Sequence, residues 1–142
     1  MSLVVDQATL SWTAAGCICL AAAEHAESLG LKINVAVCDA GGNPLAFQRM
    51  NGAFLHSISI AEDKAYAAVS FGLPTRQWRE IFADAPELKD GLIHRPRFVT
   101  LAGGIPILKD GQIIGGVGVS GASEEEDEAC AMAGLRDLDL SS

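Results

Sequence analysis

Apolar positions recur at helical spacing between Asp6 and Gly30. Leu10, Ala14, Cys17, Ile18, Ala21 and Ala22 form the stripe, and Glu24, His25, Glu27 and Ser28 make the last turns polar. The pattern predicts a long first helix, with Asp6 as its N-cap and Gly30 just past its end. The periodicity then changes. Residues 33–38, Ile-Asn-Val-Ala-Val-Cys, read as a strand, Asp39 to Asn43 as a turn, and Pro44 to Arg49 as the returning strand of a hairpin. Pro44 fits the start of that strand, where its missing N–H does least harm.

A second helix is predicted from Leu55 to Phe71, with Ile58, Ala61, Ala65 and Ala68 as its close-packing face and Gly72 and Pro74 ending it. Thr75 caps a short third helix, Arg76 to Ala83. The charged stretch from Asp84 to Pro96, interrupted by Pro86 and Gly91, reads as a loop. Strands are predicted at Phe98–Leu101, Ile105–Lys109 and Gln112–Val119, the last two joined by the hairpin dipeptide Asp110-Gly111. Ser123 and Glu126 match a capping box that opens a final helix, which Gly134 should stop, leaving Leu135 to Ser142 as a tail. Hairpin-linked strands imply a largely antiparallel sheet. Helices at both ends and in the middle can cover both faces, so the expected class is α+β in three layers.

Composition narrows the functional classes. The 142 residues are too few for separate cofactor and substrate domains, so one domain over 1–142 is expected. Ten Lys+Arg against 18 Asp+Glu give a net charge of −8, which argues against nucleic-acid binding and against docking on anionic lipid. No run approaches the ~20 apolar residues of a membrane span. No basic-then-apolar leader is visible at the N-terminus, so a cytoplasmic location is expected. Aromatics make up only 6%, so the core must be built from small residues. A monomer of this size buries about two-thirds of its unfolded surface, and oligomerisation is therefore expected. Cys17, Cys19, Cys38 and Cys130 lie in apolar patterns and are expected to be buried free thiols.

Candidate chemistry is sparse. Gly116 to Gly121 matches G-x-G-x-x-G, but the preceding strand comes from a hairpin, and the next helix opens with five acids, Glu124 to Glu128, that would repel a pyrophosphate. No dinucleotide is expected. At most two of those acids, such as Glu124 and Glu128, could converge on a hard cation. His25, His56 and His94 stand alone, which disfavours zinc and leaves His25, and less so His56, as candidate axial ligands for non-covalent haem. Ser120 lacks spaced triad partners. Asp39 closes a strand beside a turn, where it can bond turn amides or stand as a carboxylate at a pocket mouth. Gly103 and Gly104 offer bare amides as an anion cradle, with Arg49 and Lys64 as the cations that would draw an anion to it.

Taken together, an ordered set of motifs stands out: Asp39-Ala40-Gly41-Gly42, Arg49-Met50-Asn51-Gly52-Ala53, Asp63-Lys64-Ala65, Phe71-Gly72-x-Pro74-Thr75, Gly103-Gly104-x-Pro106, Asp110-Gly111, the glycine-rich Gly115 to Gly121, and Asp127-Glu128. In this order, over roughly residues 6 to 136, they resemble the GlcG/HbpS family, which includes the C-terminal domain of PduO-type corrinoid adenosyltransferases. The resemblance implies a profilin-like α/β/α fold with about five antiparallel strands, and homo-oligomers from dimer to octamer. It also implies haem binding in some members, and in others association with operons for small organic acids or diols. Asn43 stands where such proteins often carry histidine.

Three functional readings follow. The first is haem or tetrapyrrole binding, with His25 or His56 on the iron. The second is an accessory enzyme or binding protein for a small organic acid, using Arg49, Lys64, Gly103, Gly104 and Ser120, with Asp39 or Asp127 as acid–base group. The third is a structural oligomer without ligand.

Overall fold

The structure, a computed structural model, describes residues 1–136 and 138. Helix α1 spans Trp12–Ser28. Its N-cap is Ser11, whose Oγ accepts from the Ala14 N–H at 3.2 Å, and not Asp6. The chain before it is held to the sheet instead. The Leu10 N–H donates to the Ile114 carbonyl at 2.9 Å, and the Ala40 N–H donates to Thr9 Oγ1 at 3.0 Å. Those two bonds take the backbone out of helical register until Ser11. Gly30, at φ +71°, lets the chain turn away past the C-terminus.

Strands β1 (Asn34–Asp39), β2 (Pro44–Arg49), β3 (Gly104–Lys109) and β4 (Gln112–Ser120) form one antiparallel sheet in the order β2-β1-β4-β3. Helix α2 (His56–Phe71) covers one face. Helices α1 and α5 (Glu124–Arg136) cover the other, which makes three layers. Alternation along the strands explains the split. Val35, Val37, Val117 and Val119 join Ile18, Ala22 and Cys130 in the larger core, while Ala36 and Cys38 meet Ala61, Ala65 and Val69.

The described residues hold four strands, not five. Phe98–Leu101 is not a strand, because Phe98 is drawn into a ring cluster with Phe71, Trp78 and Phe82 at centroid distances of 4.8 to 5.9 Å. That cluster anchors the excursion between α2 and β3, which holds a 3-10 turn at Thr75–Gln77, α3 (Trp78–Asp84) and α4 (Pro86–Leu92). The stretch read as a loop therefore contains a helix, started by Pro86 in the first turn, where its missing N–H costs nothing.

Helix α5 opens as the capping box requires. The Ser123 N–H donates to Glu126 Oε1 at 3.1 Å, and the Glu126 N–H donates to Ser123 Oγ at 3.2 Å. Replacing Ser123 by alanine should cost about 1 kcal/mol, read from the urea midpoint. Gly134 does not stop this helix, which continues to Arg136. Gly134 is instead the contact with α1, where a Cβ would lie 2.8 Å from the Ile18 carbonyl oxygen. Leu135 and Arg136 thus belong to the helix, and most of the expected tail lies outside the described residues. All four cysteines are free thiols; Cys19, Cys38 and Cys130 are buried, but Cys17 is exposed. No helix among the described residues is long and apolar enough to cross a membrane.

Candidate functional site

Five of the residues singled out in the sequence gather at one end of the sheet. Lys64 of α2 is 1% exposed and Asp127 of α5 is 3% exposed. The Lys64 Nζ donates to Asp127 Oδ2 at 3.1 Å and to the Val119 carbonyl at 2.8 Å. Asp127 Oδ1 also accepts from the Ala122 N–H at 2.9 Å. Gly103 and Gly104 close over this pair, and buried Ser120 follows Val119 at the end of β4. A Cβ on Gly103 would lie 2.5 Å from the Val119 carbonyl oxygen and 2.9 Å from Lys64 Nζ. Gly103 therefore packs against the protein's own ammonium and Gly104 against the Lys64 backbone carbonyl, and Lys64, expected as a cation that draws an anion to these amides, is a core residue.

Burial pushes the Lys64 ammonium below its ordinary range, opposed by attraction to Asp127. Burial likewise pushes the Asp127 carboxyl up, opposed by Lys64 and by the Ala122 amide. The neighbouring acids are also engaged. Glu124 Oε1 accepts from the Ala102 N–H at 2.9 Å and from Arg79 Nη2 at 2.6 Å, and the Ala102 amide leads in pulling its carboxyl below the ordinary range. Glu128 Oε1 pairs with Arg76 Nε at 3.2 Å. No group of three or more metal-ligating side chains forms among the described residues.

The other candidates lie elsewhere. Asp39 Oδ1 accepts from the Gly41 and Asn43 N–H groups at 2.9 and 3.0 Å, so its carboxylate holds the hairpin turn. Arg49 ends β2 and donates from Nη2 to the Ala53 carbonyl at 2.9 Å, away from the buried pair. His25 is half-buried in the last turn of α1, and His56 is exposed at the start of α2 on the opposite face of the sheet.

Two grooves accompany these elements. One, of about 580 Å³, runs between α1 and the end of β2, with Leu20, Ala23, Leu31 and Met50 as apolar surface, Lys32 as a cation and Arg49 at its β2 end. Glu24 and Glu27 complete its α1 wall; His25, next to Glu24 in sequence, does not line it. The other, of about 310 Å³, lies on the opposite face beside α2. Neither Lys32 nor the second groove could be read from periodicity, because each depends on how α1 and α2 lie across the sheet.

A four-stranded antiparallel sheet between a helix pair and a single helix, with surface grooves and no metal cluster among the described residues, defines a class of small three-layer α+β domain. The chain belongs to the HbpS-like family, described as haem degrading protein HbpS-like, which matches residues 10–136. A 15.0 kDa protein from the dhaT-dhaS intergenic region of Citrobacter freundii is 36% identical over 118 residues, covering 80% of this chain and 83% of that protein. The crystal structure of HbpS superposes with a TM-score of 0.88 at 39% identity, covering 96% of this chain and 94% of that one. The crystal structure of a PduOC:heme complex superposes with a TM-score of 0.84 at 30% identity, covering 94% and 97%.

Proposed function

We propose that the protein binds haem or a related tetrapyrrole non-covalently, as a homo-oligomer, in the groove between α1 and β2. The observation that carries this reading is the family itself, together with the likeness to a domain solved with haem. The groove's make-up suits such a ligand. Its volume of about 580 Å³ falls within the range of small-molecule sites, roughly 300–1,000 Å³. Leu20, Ala23, Leu31 and Met50 offer an apolar face to a macrocycle, and Lys32 offers charge to its carboxylates. When bound, haem would supply an iron centre able to take an imidazole ligand. No histidine lines the groove, His25 included, so no residue is assigned to the iron.

Titration of the purified protein with haem tests this. A Soret shift at micromolar haem is expected, weakened by Lys32→Ala. Haem at ~100 times its dissociation constant should add about 2.7 kcal/mol of stability. Absence of any Soret change at micromolar haem overturns the reading.

A further inference from the structure

The second groove, of about 310 Å³, exists because α2 packs on β4, β1 and β3 but leaves β2 uncovered on that face. Phe47 is paired with Ala36 in the sheet register, so its ring stands on the same face as Ala36 and Cys38. It is 41% exposed, an aromatic ring left beside an apolar floor of Ala36, Cys38 and Ala65. Cys38 belongs to that floor as a neutral thiol, which burial pushes up to about 11.

Arg97 stands at the rim, and its setting is unusual. Its φ is +62°, a left-handed conformation that side-chain-bearing residues seldom adopt. Two contacts hold it there. Arg97 Nε donates to Asp63 Oδ1 at 2.9 Å, and its guanidinium lies 3.9 Å from the centroid of the Tyr66 ring. Tyr66 is in turn backed by the hairpin turn, where a Cβ on Gly42 would lie 2.8 Å from its ring. These contacts fix the plane of the guanidinium. They use Nε and leave Nη1 and Nη2 without a protein hydrogen bond among the described residues. A fixed fork of donors at the rim of an apolar groove matches a carboxylate that carries a hydrocarbon body.

We propose that this groove binds small monocarboxylates with a short apolar body, the carboxylate on the Arg97 fork and the hydrocarbon over Phe47, Ala36 and Cys38. Asp63 is already paired with Arg97, which leaves Glu62 as the opposing charge on the rim. The site shares no lining residue with the groove assigned to the tetrapyrrole.

Benzoate, benzamide and benzylamine are suitable probes, followed by amide chemical shifts of the full-length protein. Benzoate should shift Ala36, Cys38 and Phe47, and benzamide should bind about tenfold more weakly or worse, as loss of a charge-assisted bond predicts. Arg97→Gly should fold, since glycine accepts positive φ, and should lose benzoate binding. Glu62→Gln should tighten benzoate binding by removing the opposing charge. Equal binding of benzamide, preference for benzylamine, unchanged binding in Arg97→Gly, or weaker binding in Glu62→Gln would each overturn the proposal. So would shifts at Phe47 that follow protein concentration rather than benzoate, which would make the groove a seam between copies.

Discussion

Replacing Asp127 by alanine is expected to destabilise the fold by about 3–5 kcal/mol, the cost of leaving one buried charge without its partner. Lys64 would keep the Val119 carbonyl but lose the carboxylate 3.1 Å away. At 1% exposure it has no open route to water. Domain stabilities are only about 5–15 kcal/mol, so one side chain would remove a large share of the total. The expected record is a lower urea midpoint with an unchanged slope. Joining the change to Lys64→Met should recover most of the loss. Burial already drives each group toward its neutral form, so the pair is held against a desolvation cost that the double variant removes. A loss well under about 1 kcal/mol in Asp127→Ala would show that the ammonium reaches water, since exposed pairs contribute no more than that. It would also restore the reading of Lys64 as a cation open to a ligand.

That reading of Lys64 shows where the sequence could have been read further. Lys64 follows Ala61 by three positions and precedes Ala68 by four, so it lies on the buried stripe of α2. Asp127 precedes buried Cys130 by three positions and Ala131 by four, and so lies on the buried stripe of α5. One charge on the apolar stripe of each of two helices, of opposite sign, is the signature of an internal pair, and it was visible in the spacing. Local signals were legible for the same reason. Asp110-Gly111 and the Ser123–Glu126 box act over two to four residues and need no tertiary context. Features that depend on packing were not legible. Val99 and Thr100 favour a strand locally, yet the ring contacts of Phe98 keep that segment off the sheet. Arg97 gave no sequence signal, because its fork is set by a positive φ and by Asp63 and Tyr66, some thirty residues earlier.

Gly118→Ala is expected to cost at least the upper end of the roughly 1–3 kcal/mol typical of overpacking. On β4, Gly118 faces α2, and a Cβ there would overlap the Ala61 carbonyl oxygen and lie 2.5 Å from the Ala65 nitrogen. Both neighbours are backbone, so no change of rotamer relieves the contact. Only a lift of α2 off the sheet does. Lys64 is carried on that helix, with its own Cβ 2.9 Å from the added carbon. A lift therefore also draws the ammonium from Val119 and Asp127, and the cost should be non-additive with Asp127→Ala. Gly16→Ala is the control. A Cβ at Gly16 meets nothing within 4 Å, and the residue lies inside α1, where alanine gains about 0.5–1 kcal/mol over glycine. The same added methyl group should thus stabilise at one site and destabilise at the other. Equal effects in urea unfolding would mean that the spacing between α2 and β4 is not set by the missing side chain of Gly118.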